Sequence, residues 1–305
     1  MAIIFDGQAF AEKKIGELSK KVAELKNMGI HPKLASILVG EDPASKLYVS
    51  LKKKKAEGIG AEMDVYFLKE KELTETILAL IDSLNIDPTV CGIMIQLPLP
   101  SYFSKEEKEE IINSIKKEKD VDGLREDSSF LHPTSKAVVD VINESKKQID
   151  YGSSAVVCVV GATGMVGRPL VTELKKEGYR VIACTHDTKD LKEKTLKADI
   201  LISTTGKPNL ITKDMVKKGA VLIDVGSPKG DVDPEVYEVA GFITPVPGGI
   251  GPITISCLFE NLVKASSGYN YLIRTYSNQD INEFIKLDKD ESKSLNNRDA
   301  FLNHL

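Results

Sequence analysis

The sequence predicts an α/β protein of two domains, each built on a parallel sheet. The chain has 305 residues, more than a single hydrophobic core usually organises. Short apolar segments alternate with longer amphipathic ones, and no tight hairpin signal joins them, which favours parallel strands connected by helices. In the second half, a continuous apolar segment at residues 155–160 leads into a glycine-rich turn, as expected of a doubly wound sheet.

The first half contains three predicted strands and the helices between them. Apolar residues recur at helical spacing over residues 9–25 and predict an opening helix. The strands are expected at residues 34–39, 63–68 and 91–95, with helices at about 45–57 and 74–84.

The second half repeats the alternation more clearly, with a helix expected at about residues 166–176. Its strands are expected at residues 155–160, 180–184, 199–203, 220–224 and 241–244. A helix over about residues 134–147 joins the two halves. We therefore predict domains at residues 1–140 and 141–264, with a polar tail, residues 265–305, that returns to the first domain.

Composition favours an enzyme and argues against several other classes of protein. The 41 basic and 45 acidic residues leave a net charge of −4, and aromatic residues make up only 6% with no Trp. Neither a basic field nor a base-stacking platform for nucleic acid is therefore expected. No apolar run approaches the roughly 18–20 residues of a membrane helix, and the amino terminus does not resemble a secretory signal. We expect no membrane association and a cytoplasmic location.

The cysteines predict neither disulfides nor a metal site. They stand far apart and form no C-x-x-C pair, at Cys91, Cys158, Cys184 and Cys257. Buried free thiols in a reducing compartment are the expectation.

A glycine-rich turn, Gly161-Ala-Thr-Gly164-Met-Val-Gly167, lies between a predicted buried strand and a predicted helix. In a Rossmann turn at this position, the backbone approaches a pyrophosphate and the helix directs N–H groups at it. A tight turn that binds nothing also needs glycine, but the position favours a nucleotide. The next strand ends at Cys184, and its first acid, Asp187, comes later than NAD enzymes usually place one, so NAD and NADP both remain open.

Further candidate residues follow strands or share one helix face. Tyr48 and Lys52 have the i,i+4 spacing that places two side chains together, although Lys52 also belongs to a run of four lysines typical of a solvated face. Gln96 follows a predicted buried strand, where α/β proteins bind ligands, and Asp122 precedes a glycine in what could be an ordinary turn. The segment 244–254, TPVPGGIGPIT, is too rich in proline and glycine for a simple connection.

Together these segments resemble the bifunctional methylenetetrahydrofolate dehydrogenase/methenyltetrahydrofolate cyclohydrolase family over about residues 1–264. The resemblance is carried by VGEDPASKLYVSLKKK, GIMIQLPLP, KDVDG, VVGATGMVGRPL, GAVLIDVG, GDVD and TPVPGGIGPIT, in family order. It implies an enzyme of one-carbon metabolism that oxidises 5,10-methylenetetrahydrofolate with NADP, or less often NAD, and hydrolyses the product to 10-formyltetrahydrofolate. It also implies a homodimer with a substrate cleft between the two domains.

The resemblance assigns roles residue by residue. It implies that Tyr48 stacks on the folate, Lys52 is catalytic, Gln96 holds the lysine and Asp122 binds the pterin. The residues that would line the cleft wall are Pro247, Gly248 and Gly249. The cofactor would contact Gly161, Ala162, Thr163, Gly164, Gly167, His186 and Ser227.

Some positions depart from the family pattern. His132-Pro-Thr-Ser replaces the usual P-C-T-P after a shortened loop, Ala162 replaces an arginine common in NADP-using members, and Ser227-Pro228 replaces Ile-Asn. Two alternatives remain: another two-domain NAD(P) dehydrogenase of the shikimate type, and a noncatalytic folate- or nucleotide-binding protein. The combination of Tyr48, Lys52, Gln96 and Asp122 argues against the first, and the presence of Lys52 argues against the second.

Overall fold

The computed structural model describes residues 2–152 and 154–275, with side chains as far as residue 268. In the first part of the chain the elements are β1 (Ile3–Ile4), α1 (Gly7–Asn27), β2 (Lys33–Val39), α2 (Pro43–Ile59), β3 (Glu62–Leu68), α3 (Thr74–Ile86), β4 (Gly92–Ile95), α4 (Lys105–Asn113) and α5 (Pro133–Ser145). They are followed by β5 (Val156–Val160), α6 (Gly167–Lys176), β6 (Arg180–Cys184), α7 (Leu191–Thr195), β7 (Ile200–Ser203), β8 (Val221–Asp224), β9 (Phe242–Ile243) and α8 (Ile250–Thr275).

A three-stranded parallel sheet of order β3-β2-β4 forms the core of the first part. Side chains of the central strand β2 alternate between its two faces, as the pleat requires. Leu34 and Leu38 pack in the core cluster that includes residues of α1, α2 and α8. Ala35, Ile37 and Val39 pack with α3 and α4 on the other face. Because both faces are covered, the strand is apolar almost throughout, which is the pattern read from the sequence.

A six-stranded parallel sheet of order β1-β9-β8-β7-β5-β6 forms the second part. After β1, which lies at one edge, the chain returns to the sheet at β5, moves outward to β6 and then continues on the opposite side of β5 through β7, β8 and β9. The carboxyl end of β5 is therefore the switch point of a doubly wound sheet, where such folds bind ligands. The predicted α/β class and the two parallel sheets are confirmed.

Two elements cross the predicted division at residue 140. Strand β1 pairs with β9 in the second sheet. Helix α8 packs along α1 and α5, and Leu258, Phe259 and Leu262 lie in the core of the first part. Strand β1 thus belongs to the second sheet, and α8 packs on both parts of the molecule, because its Ile250, Ile253 and Cys257 lie in a core cluster with residues of the second sheet. The predicted domain bounds stay a prediction. Residues 276–305 of the predicted tail lie outside the described residues.

None of the described helices combines the length and apolarity that a bilayer crossing requires.

Candidate active site

Helix α2 carries Tyr48 and Lys52 on one face. The helix begins where the Asp42 side chain accepts a hydrogen bond from Ser45 N (2.7 Å) and ends at Gly60, whose φ is +82°. Tyr48 is 50% exposed, as a ring that stacks on a ligand must be, whereas Lys52 is half-buried. The two residues thus present an aromatic face and an amine to the same space.

Lys52 and Gln96 are joined by a hydrogen bond. Lys52 Nζ donates to Gln96 Oε1 at 3.0 Å and lies 3.9 Å from the sulfur of Met94. Gln96 is buried and follows β4, where its backbone N–H donates to Ile37 O at 2.8 Å. Its side-chain Nε2 donates to Leu97 O at 2.7 Å, which leaves Oε1 directed at the lysine. The structure therefore brings together these two predicted residues from distant parts of the sequence.

Asp122 lies in a turn that its neighbours hold rigidly. Gly123 N donates to Asp120 O at 3.1 Å, and the Asp120 carboxylate accepts hydrogen bonds from the backbone N–H groups of Leu124 and Arg125. Gly123 has a φ of +60°, which favours glycine. Burial raises the pKa of Asp120. The Asp120 side chain thus organises the turn, while Asp122 is only partly buried.

Electrostatic effects connect Asp122 with the Lys52–Gln96 pair. Burial lowers the pKa of Lys52, and the negative charge of Asp122 partly opposes that effect. A lysine in such surroundings releases its proton more readily than one in water, so it can exchange a proton with a substrate. Lys52 and Gln96 are therefore in direct contact, and Asp122 lies near enough for its charge to act on the lysine.

His132 is a member of this group that the sequence did not single out. It is buried, and burial lowers its pKa, while Asp122 raises that pKa and Lys52 lowers it further. Its Nδ1 accepts a hydrogen bond from Thr134 N at 3.2 Å at the start of α5. The only sequence signal for His132 was that the segment beginning there departs from the family pattern.

The proline–glycine loop that includes Pro247, Gly248 and Gly249 connects β9 with α8. Its Gly249 N donates to Pro245 O at 2.8 Å, and Gly248 has a φ of +103°. A Cβ placed on Gly7 would lie 1.9 Å from Gly249 O, so the loop packs tightly on the start of α1. Its predicted contact with folate stays a prediction.

The turn between β5 and α6 is closely packed at the switch point of the second sheet. The N–H groups of Gly161 and Ala162 both donate to Cys184 O, at 2.9 and 3.0 Å, and Gly164 N donates to Gly161 O at 3.0 Å. A Cβ on Gly167 would lie 2.2 Å from Gly161 O. Only glycine fits there, so the turn can approach a pyrophosphate closely, with Thr163 exposed beside it.

The remaining cofactor-side residues lie on loops. His186 and Asp187 are exposed after β6, with Nε2 of the histidine 3.2 Å from an oxygen of the aspartate. Ser227 follows β8 in a loop ordered by Asp224, whose carboxylate accepts hydrogen bonds from the N–H groups of Gly226 (2.8 Å) and Asp231 (3.0 Å). These residues stand at the carboxyl edge of the second sheet, but their contacts with a cofactor stay predictions.

Among the described residues, Asp140, Cys257 and Glu260 come close enough to share a metal ion. The ammonium of Lys14 already pairs with both carboxylates. This cluster is therefore an ion-pair network between α1, α5 and α8 rather than a vacant set of ligands.

Comparison with known proteins identifies the family. The model of the "Tetrahydrofolate dehydrogenase/cyclohydrolase, catalytic domain" matches residues 5–122, and that of the corresponding NAD(P)-binding domain matches residues 132–270. The bifunctional protein FolD of Bacillus cereus is 41% identical over 283 residues, 87% of this chain and 97% of that protein. This chain belongs to the tetrahydrofolate dehydrogenase/cyclohydrolase family.

Solved structures of family members have the same fold. The bifunctional FolD enzyme of Campylobacter jejuni superposes with a TM-score of 0.82 at 39% identity, covering 88% of this chain and 99% of that one. The Trypanosoma brucei enzyme, solved with NADP and an inhibitor, gives a TM-score of 0.79 at 30% identity, covering 87% and 97%. The predicted family, the bifunctional enzyme of one-carbon folate metabolism and the NAD(P)-binding domain are confirmed.

Proposed function

We propose that Lys52, Gln96 and Asp122 form the reaction centre of this dehydrogenase/cyclohydrolase, with Tyr48 as the stacking platform. The observation that carries the proposal is the 3.0 Å hydrogen bond from Lys52 to Gln96, in a position where burial and Asp122 both act on the lysine. The substrate would enter from the side of the exposed Tyr48 ring, with Asp122 accepting hydrogen bonds from the polar edge of the pterin.

Oxidation of 5,10-methylenetetrahydrofolate requires mainly alignment. The one-carbon bridge loses a hydride, and the two neighbouring nitrogens stabilise the cation that results. No acid–base partner is needed for this step, so the chain contributes by fixing the ring through Tyr48 and Asp122. The bound nicotinamide cofactor supplies the hydride acceptor.

Hydrolysis of the methenyl product requires proton movement. Water adds to the cationic carbon and loses a proton, which gives a neutral carbinolamine. One carbon–nitrogen bond then breaks, the hydroxyl loses its proton as the formyl C=O forms, and the departing nitrogen takes up a proton, so that one proton is released overall. Lys52 can accept the first proton as an amine and return one as an ammonium, because its pKa is lowered by burial. Gln96 holds its Nζ in place during both transfers.

NADP is the cofactor we propose, held by the turn from Gly161 to Gly167. The fit of a dinucleotide is supported by the glycine packing of this turn, which brings the start of α6 up to the carboxyl end of β5. His186, when protonated, could pair with a 2′-phosphate, whereas Asp187 would repel it. Ser227 would lie at the far side of the same edge.

A cytoplasmic homodimer is the form we propose for the enzyme. Strand β3 is an edge strand of the first sheet, and its Phe67 is 63% exposed, which supports pairing with a second copy. The four free cysteines, all buried, support a reducing compartment. Light scattering of the wild type and of Phe67→Lys would test the dimer, because the variant should be monomeric.

Replacing Lys52 with Met tests the reaction centre. The cyclohydrolase rate should fall by about 100- to 10,000-fold, the usual contribution of general acid–base catalysis, and the dehydrogenase rate should fall less. Lys54→Met is the matched control, because Lys54 lies on the same helix but is exposed, and it should retain both rates. Undiminished hydrolysis by a folded Lys52→Met sample would refute the assignment.

A further inference from the structure

Two buried aspartates stand at the carboxyl edge of the second sheet. Asp224 ends β8 and is 3% exposed, and Asp231 lies in the loop that follows and is fully buried. Because β5, β7, β8 and β9 are parallel neighbours, the loops after them lie side by side at this edge. A buried carboxylate is stable only when hydrogen-bond donors surround it, so the donors indicate which parts of the chain these two residues hold together.

The Asp231 carboxylate fixes the segment that follows β7. Its Oδ2 accepts hydrogen bonds from the hydroxyl groups of Ser203 (2.7 Å) and Thr205 (2.8 Å). The same oxygen accepts the backbone N–H groups of Thr205 (2.8 Å) and Gly206 (3.3 Å). Oδ1 is also buried but accepts no hydrogen bond from the described residues. One oxygen atom therefore holds the residues on both sides of Thr204.

Thr204 is packed against the glycine turn after β5. Its N–H donates to Val160 O at 2.9 Å, and its hydroxyl donates to the same oxygen at 3.1 Å. A Cβ built on Gly161 would lie 2.7 Å from Thr204 Oγ1 and 2.9 Å from Thr204 O. The position of the turn therefore depends on that of Thr204, whose neighbours on both sides are bonded to Asp231.

Asp224 extends the connection to the proline–glycine loop. Its Oδ1 accepts the N–H of Asp231 at 3.0 Å. Its own N–H donates to the hydroxyl of Thr244 at 2.8 Å, and Thr244 is the first residue of that loop. A Cβ on Gly249 would lie 2.8 Å from Thr244 Cβ, so the loop folds back on this residue. A continuous series of contacts thus joins the turn at Gly161 to the loop at Gly249.

We propose that Asp231, supported by Asp224, is a positioning residue for hydride transfer. It holds the loops after β7, β8 and β9 together as one wall, which fixes the nicotinamide cofactor relative to the one-carbon unit of the folate. The inference rests on the proposed placement of the dinucleotide at the turn after β5. It goes beyond that placement by giving a buried carboxylate the task of aligning the two ligands.

The two activities of the enzyme separate this role from a general contribution to stability. Hydride transfer needs the cofactor and the folate in a fixed geometry, and a displacement of about 1 Å can reduce such a rate 100-fold. Hydrolysis does not consume the cofactor and is proposed to depend on Lys52. Loss of the Asp231 hydrogen bonds should therefore lower kcat/KM of the dehydrogenase and raise KM for the cofactor, while the cyclohydrolase rate stays close to that of the wild type. A variant that only destabilised the fold would lower both activities together.

The first experiment compares both activities in the wild type, Asp231→Leu, Asp231→Asn and Asp199→Leu, with whichever of NADP and NAD the wild type reduces faster. Asp231→Leu has no acceptor, so its dehydrogenase kcat/KM should fall by about 10- to 100-fold. Asp231→Asn should recover most of this loss. Its oxygen can take the four hydrogen bonds of Oδ2, and its amide nitrogen can occupy the place of Oδ1, which accepts none from the described residues.

Asp199→Leu is the matched control. Asp199 lies at the opposite, amino edge of the same sheet, where its carboxylate accepts hydrogen bonds from Val156 N (2.8 Å) and Lys217 Nζ (2.6 Å). Urea unfolding should show that this variant also loses stability, but the ratio of its two activities should match that of the wild type. Equal losses of the two activities in Asp231→Leu, or the same change of ratio in Asp199→Leu, would overturn the inference.

Ser203→Ala decides the question if circular dichroism shows that Asp231→Leu does not fold. Ser203 is fully buried, so it lies beneath the surface that a cofactor would contact, and the variant removes one donor to Asp231. Its dehydrogenase activity should fall severalfold with the cyclohydrolase rate unchanged, and wild-type values for both would overturn the inference. Gly161→Ala tests the placement of the cofactor separately. If Gly161→Ala leaves KM for the cofactor unchanged, the proposed placement fails, whereas a raised KM in Gly161→Ala alone rejects only the role of Asp231.

Discussion

Replacing Asn261 with Leu should weaken folate binding through a residue that touches no substrate. Its amide donates to Val121 O and Leu131 O at 2.9 and 3.0 Å in a site that is only 3% exposed. Leu has a similar branched shape but no donor, so two buried carbonyls lose their partner. At about 1–3 kcal/mol for each unsatisfied group, and allowing for relaxation of the loop, the free energy of unfolding should fall by about 2–4 kcal/mol.

The functional consequence follows because the backbone segments that carry Asp122 and His132 lose the hydrogen bonds that hold them together. A displacement of about 1 Å in a positioned group can reduce a rate 100-fold, so we expect kcat/KM for the folate substrate to fall by about 10- to 100-fold. The KM for the nicotinamide cofactor should change little, because the glycine turn after β5 is separate from this contact. Urea unfolding and steady-state kinetics on the same sample provide both measurements.

Asn85→Leu is the matched control. Asn85 is also buried, at 7% exposure. Its side chain makes two hydrogen bonds to the segment after α4, to Ser114 O at 2.7 Å and from Lys116 N at 2.9 Å. Both variants should lose comparable stability, but only Asn261→Leu should lose folate affinity. If the two variants have the same KM for folate, the hydrogen bonds of Asn261 do not position Asp122.

Three further outcomes are expected. Gly161→Ala should weaken cofactor binding about tenfold or more, because its Cβ would lie 2.7 Å from a side-chain oxygen. Gly178→Ala has an equally positive φ but open space around its Cβ, so it should lose only stability. Measurements of the cofactor KM and of urea unfolding test this pair. Asp187→Ser should raise the ratio of NADP to NAD activity severalfold by removing a carboxylate beside His186, and an unchanged ratio would place the 2′-phosphate elsewhere. Burial lowers the pKa of Lys119 from 10.5 to about 8. Between pH 8 and 10.5, Lys119 is protonated in the unfolded chain but largely neutral in the folded one. The free energy of unfolding of the wild type, relative to that of Lys119→Met, should therefore rise with pH by at most about 3 kcal/mol. Urea unfolding at pH 7.5–10.5 measures this rise.

Local patterns determined most of the secondary structure. The apolar run predicted as a strand at residues 155–160 is β5, Val156–Val160, because a strand buried on both faces has few polar positions. The predicted junction helix is α5, Pro133–Ser145. Helix α4 was not predicted, although its start carries a readable signal, the capping box formed by Ser104 and Glu107.

Local spacing and the family motifs also indicated the candidate site residues. Spacing on one helix placed Tyr48 beside Lys52, and a strand end placed Gln96 at the edge where ligands bind. These relations involve residues that are close together in the chain, so they can be predicted from the sequence alone. The resemblance extended them to Asp122, whose negative charge partly opposes the effect of burial on the pKa of Lys52.

Only the tertiary structure decided the contacts between distant segments. The pairing of β1 with β9 and the packing of α8 on α1 and α5 cross the division expected from the order of the chain. The backbone segments that precede Asp122 and His132 are tied together by Asn261, which is more than a hundred positions away from both. Such contacts arise from how helices and sheets bury their apolar faces together, and a local pattern of residues does not encode which buried faces will meet.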